Sequence, residues 1–193
     1  MTEIILTSTG ISDETPYHFF KKLVQDKQLK KAGIIANAHP EGAEGYYVQI
    51  AKRQLEDLGF SVVFLNPLED TFKNDISRID TLYLAGGNTF NLLDDIKTGV
   101  GLEVFKRFIT KLRAIVGVSA GSIILTPTIR IAGAIEPDDN PRGIKTLDAL
   151  NVVESEYLPH YVDELESAVK TYEEEYDVSV IRSKNGDFTH LTI

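Results

Sequence analysis

The sequence predicts an α/β protein, a three-layer α/β/α sandwich on a mostly parallel sheet. Three observations carry this expectation. Short β-branched runs bounded by Gly, Asn or Pro recur at wide spacing, and stretches of helical period lie between most of them. The 193 residues are 42% hydrophobic and 25% charged, with no obvious linker or repeat, which suits one domain over 1–193.

In order, EIILTS, AGIIANA, SVVFLNP, TLYLAGG and AIVGVS read as strands buried on both faces, and LNVV, VSVIR and FTHLTI as later strands. Thr15-Pro16 supplies an N-cap and a first-turn proline for a helix through YHFFKKLVQDK. In YYVQIAKRQLEDLG, Tyr47, Ala51, Leu55 and Leu58 share the face expected to pack inward, and Gly59 ends the helix. Phe105, Phe108, Ile109 and Leu112 form a second such stripe. The segment Ala132 to Lys145, rich in Pro, Gly and acids, reads as a long surface loop or a flap beside a site. The acidic stretch after residue 160 reads as a solvated helix with an apolar stripe of Tyr161, Leu165, Val169 and Tyr172.

Composition excludes several functions. Without cysteine there is no disulfide, thiolate metal site or thiol nucleophile. A net charge of −9 with no basic stripe argues against nucleic acid. No apolar run approaches the roughly 20 residues of a membrane span. The N-terminus lacks the pattern of a secretory signal, so a cytoplasmic location is expected. Metal-ligand spacing and dinucleotide or phosphate-loop signatures are missing, so no metal and no cofactor is expected.

Ligands of parallel sheets sit beyond the carboxyl ends of the strands, where Asn37-Ala38-His39, Gly86-Gly87-Asn88 and Ser119-Ala120-Gly121 fall in this chain. GVSAG, residues 117–121, is G-x-S-x-G between an apolar run and a second one, the strand-turn-helix setting that forces a serine hydroxyl into the open. Such a serine needs a base, and four histidines are available: His18, His39, His160 and His190. His18 reads as a surface residue and His190 as structural, whereas His39 and His160 rank nearly level from position. Gly87 and Ala120 can offer amides to an oxyanion, while Asn88 reads either as a helix cap or as a substrate contact.

GGNTFNLL, GVSAGS, PTIR, DALNVV and PHY, in this order over Leu82 to Tyr161, resemble the dipeptidase E and cyanophycinase family of serine peptidases. The resemblance implies a class I glutamine amidotransferase-like (flavodoxin-like) fold, with Ser119 as nucleophile, His160 as general base, and Gly87 and Ala120 as oxyanion amides. It favours His160 over His39 and implies hydrolysis of a small peptide substrate. The family's orienting acid falls at Ala134, with Glu136, Asp138 and Asp139 as nearby substitutes. The arginine-containing segment of the aspartyl dipeptidases falls on VDELESAVKTYEEEYD, which has no arginine. Arg130, Arg142 and Lys145 are the replacement cations, with Arg130 and Asn88 the substrate-binding candidates. A catalytically silent amidotransferase-like binding domain and a small serine esterase are the alternatives. A monomer and a homodimer are equally compatible with the sequence.

Overall fold

The computed structural model describes residues 1–135 and 138–193. In chain order the regular elements are β1 (Glu3–Thr7), α1 (Glu14–Lys27), β2 (Lys31–Ile35), α2 (Tyr46–Asp57), β3 (Ser61–Phe64), α3 (Phe72–Ile76), β4 (Thr81–Leu84) and α4 (Thr89–Thr98). They continue with α5 (Leu102–Ile109), β5 (Ala114–Val118), α6 (Ala120–Ile123), α7 (Ile131–Ala134), β6 (Glu156–Leu158), α8 (Glu166–Tyr176), β7 (Val180–Arg182) and β8 (Phe188–Thr192).

Six strands form the main sheet in the order β3-β2-β4-β5-β1-β8. All neighbours are parallel except β8, which runs antiparallel to β1. Both faces of the sheet are covered. Ile4, Leu6, Leu82, Leu84 and Ile115 belong to one apolar core with α4 and α5. Ile5, Ile34, Tyr83 and Val116 belong to the other, with Phe20 of α1 and Leu55 of α2. Alternate residues of one strand therefore feed opposite cores, as the two-residue period of a strand requires. β6 and β7 pair in parallel as a separate small sheet.

Several expectations need correction. β3 is not buried on both faces: it is the sheet's edge, and Val63 and Phe64 are 44% and 40% exposed. LNVV is not a strand. Its residues donate to the turn after α6, with Leu150 N–H to Ile124 and Val152 N–H to Leu125, and Asn151 has a φ of 46° that breaks any extended run. Leu150 and Val153 are buried, so the run is apolar because it packs under that turn rather than because it pairs in a sheet. The strand that precedes His160 is β6, and VSVIR joins β6 rather than the main sheet. α1 begins at Glu14 after Asp13, ahead of Thr15-Pro16. In α2 the inward face is Val48, Ala51 and Leu55, whereas Tyr47 stands out at 74% exposure. Ile131–Ala134 is a helical turn, so the expected loop begins later.

The β1–β8 pair is tied by Glu3, whose carboxylate meets Lys27 Nζ at 2.6 Å, His190 Nε2 at 2.7 Å and Thr192 Oγ1 at 2.8 Å. Burial alone would raise the Glu3 pKa, but hydrogen bonds from Lys27, His190 and Thr192 outweigh it and hold the carboxyl at about 2. A depressed carboxyl stabilises the fold fully above its unfolded pKa, and this contribution is lost as pH falls through the folded value. Urea titrations should therefore show that Glu3→Gln removes about 2 kcal/mol of the stability difference between neutral pH and pH 2. An acid-induced loss of equal size in both proteins would refute this.

Candidate active site

The carboxyl ends of β1, β2, β4 and β5 converge. Asn88 N–H donates to Ala38 O at 3.0 Å, which joins the segments after β2 and β4. Ser119 N–H donates to Thr7 O at 2.9 Å, which joins β5 to β1. The three short segments singled out beyond β2, β4 and β5 thus lie along one edge of the sheet.

Ser119 has φ 50° and ψ −113°, a conformation that costs a non-glycine residue energy and exposes its hydroxyl at the turn between β5 and α6. Its flanking glycines are steric necessities. A Cβ on Gly121 would lie 2.1 Å from Leu84 O, and one on Gly117 would lie 2.7 Å from Gly121 O. Ser122 has a structural role: its Oγ accepts from Thr7 N–H and donates to Thr7 O deep in the fold.

His160 follows β6 and Pro159, and its Nε2 lies 3.1 Å from Ser119 Oγ. Its own φ is 54°, and its N–H donates to Ser8 Oγ at 3.1 Å, while Ser8 donates to Ser183 O. The other ring nitrogen, Nδ1, meets Asn185 Oδ1 at 2.7 Å. That contact assigns the proton to Nδ1 and leaves the Nε2 lone pair facing Ser119. The group on Nδ1 is therefore a neutral amide, where the sequence led us to expect an acid.

Glu136, the expected acid, lies outside the described residues. The Asp138 carboxylate accepts from Thr89 N–H at 2.8 Å at the start of α4, and Asp139 offers its backbone oxygen to Asn88. Asn185 and Ser8 were both missed by sequence reasoning. Asn185-Gly186 carries a legible turn signal, but nothing local says that the turn faces a histidine 25 positions earlier.

The remaining candidates fall elsewhere. His39 lines the cavity beside Ser119, and its Nδ1 accepts from Glu41 N–H at 3.2 Å. His18 is exposed near Glu14, and His190 sits on Glu3. Asn88 caps α4, with its Oδ1 accepting from Asn91 N–H and its Nδ2 donating to Asp139 O. The Arg130 guanidinium lies 4.3 Å from the Tyr176 ring centre and 4.0 Å from Glu156, and Arg130 does not line either cavity that touches Ser119. Arg142 is held by Asp94 and Asp95, which straps the 138–147 loop onto α4.

Gly86 and Gly87 line the wider cavity with Ser119, and a Cβ on Gly86 would lie 3.5 Å from Ser119 Cβ. Among the described residues neither the Gly87 nor the Ala120 N–H donates to a backbone or side-chain acceptor. No helix there is long and apolar enough to cross a membrane, and no cluster of three metal-binding side chains occurs among those residues.

The model of peptidase family S51 matches residues 4–190. An uncharacterized peptidase of Listeria innocua is 29% identical over 164 residues, covering 83% of this chain and 77% of that protein. A peptidase E of Shewanella denitrificans is 28% identical over 163 residues, covering 82% of this chain and 66% of its own. Among solved structures, a candidate peptidase E protein from Listeria monocytogenes EGD-e is similar, with a TM-score of 0.79 and 23% identity over 99% of this chain and 94% of that one. That last likeness is one of fold.

Proposed function

The chain belongs to peptidase family S51 and is a serine-type peptidase, and from that premise we propose that it hydrolyses short peptides with Ser119 as nucleophile and His160 as general base. One observation carries the assignment of residues: the 3.1 Å approach of His160 Nε2 to the hydroxyl of a serine held at a strained turn. Nε2 takes the Ser119 proton as Oγ attacks the amide carbonyl, and the Gly87 and Ala120 amides receive the developing oxyanion. His160 returns the proton to the leaving nitrogen as the C–N bond breaks. Water then repeats the cycle: His160 accepts its proton, the oxygen attacks the acyl carbon, and Ser119 leaves with a proton restored.

Asn185 has the part of a positioning residue. Its carbonyl oxygen accepts from Nδ1–H and holds the tautomer, but it brings no negative charge to balance the imidazolium. The assembled Ser119–His160 pair favours hydrolysis over a silent binding domain.

A serine-reactive fluorophosphonate tests the assignment. Peptide mass spectrometry should find the adduct on Ser119 of the native protein, with labelling lost in His160→Ala. An adduct on another serine, or undiminished labelling in the histidine variant, would contradict it.

A further inference from the structure

Two cavities meet at Ser119 and His160. The wider one, about 440 Å³, is walled by His39, Pro40, Tyr47, Val48, Tyr83 and Val118. The narrower one, about 290 Å³, has apolar walls from Ile123, Ile131 and Leu158, with Asp138 as its charged group. Neither is lined by a lysine or arginine among the described residues. The three cations that the sequence offers for a substrate carboxylate are elsewhere: Arg130 lies on Tyr176, Arg142 on Asp94 and Asp95, and Lys145 is exposed and lines neither cavity. Lys170 of α8 pairs with Glu166.

A carboxylate brought into such a site would lose water without gaining a cation, and on one side it would face Asp138. An aromatic or aliphatic side chain meets the opposite conditions, since the wider cavity offers two tyrosine rings and apolar side chains within the size range of small-ligand sites. Tyr83 adds no charge. It is buried, and burial pushes its hydroxyl far up despite a hydrogen bond with the Ile11 backbone, so the phenol stays neutral.

We propose that the wider cavity is a subsite for uncharged apolar or aromatic residues flanking the scissile amide, and that the site as a whole discriminates against acidic peptides. The proposal rests on the reading that Ser119 and His160 are the peptidase centre. It gives Tyr47, exposed at the mouth, the part of a specificity residue.

The test separates binding from chemistry. Isothermal titration of Ser119→Ala with phenylalanyl-leucine, leucyl-phenylalanine, aspartyl-leucine and leucyl-aspartate covers both sides of the amide. At least one phenylalanine peptide should bind tenfold or more tighter than its aspartate counterpart. Tyr47→Ala on the same background should cut that preference at least threefold. Equal or tighter binding of the aspartate peptides, no binding by any of the four, or a preference unmoved by Tyr47→Ala would overturn the subsite. Native protein is assayed with the same peptides. Selective binding to Ser119→Ala without cleavage by the native protein would keep the subsite and overturn the peptidase centre. Ser119-dependent cleavage that favours aspartate would do the reverse.

Discussion

Ser119→Ala is expected to lower kcat for peptide hydrolysis by a factor on the order of 10⁴ to 10⁶, with little change in KM. The reasoning is local. Alanine keeps the Cβ and therefore the turn, both cavities and the Gly87 and Ala120 amides, so the substrate still binds. Only the hydroxyl proposed as nucleophile is gone. The residue after β5 keeps its φ of 50°, so the variant inherits the same strain and should melt within a few degrees of the native protein. Steady-state kinetics beside a thermal melt check both halves. A variant that retains more than a hundredth of the native kcat would show that another group is the nucleophile.

The second large effect is expected at Asn185. Asn185→Leu removes the acceptor facing His160 Nδ1 and frees the ring to rotate or change tautomer, so kcat/KM should fall by about 10² to 10³. Asn185→Asp has a different signature. A carboxylate 2.7 Å from Nδ1 favours the imidazolium and raises the histidine pKa, so the acid limb of the kcat/KM profile should move to higher pH by about one unit. The sign follows from the base being active only when neutral. Profiles measured over pH 5 to 9 for the three proteins test it. A loss in Asn185→Leu with no shift in Asn185→Asp would show that the residue merely fills space.

How much of this was legible in sequence depended on whether the signal was local. The central strands were, because β1, β2, β4 and β5 are apolar runs whose residues are buried on both faces. β3 has the same β-branched composition, but whether a strand ends up at the centre or the edge is decided by topology, not by its own residues. Tyr47 matched the helical stripe by spacing, yet α2 is rotated so that Val48 turns inward and the tyrosine opens onto the cavity mouth. Ser119 could be found because the steric demands of its turn are written in the two glycines around it. Asn185 could not, because its place depends on the small β6–β7 sheet and on β8 returning beside β1.

The Ser8 and 184–187 segments that back His160 have a kinetic consequence. Gly186 N–H reaches Thr9 Oγ1 across 177 positions of sequence, and His160 N–H reaches Ser8 Oγ across 152. Contacts of such wide sequence separation carry a loop-closure cost and weigh toward slow folding. The turn at Ser119 is held by β1 and β5, whereas the seat of His160 also draws on the segment that leads into β8. Hydrolysis is therefore expected to return during refolding no earlier than the pairing of β1 with β8, and activity recovered ahead of that pairing would contradict this order.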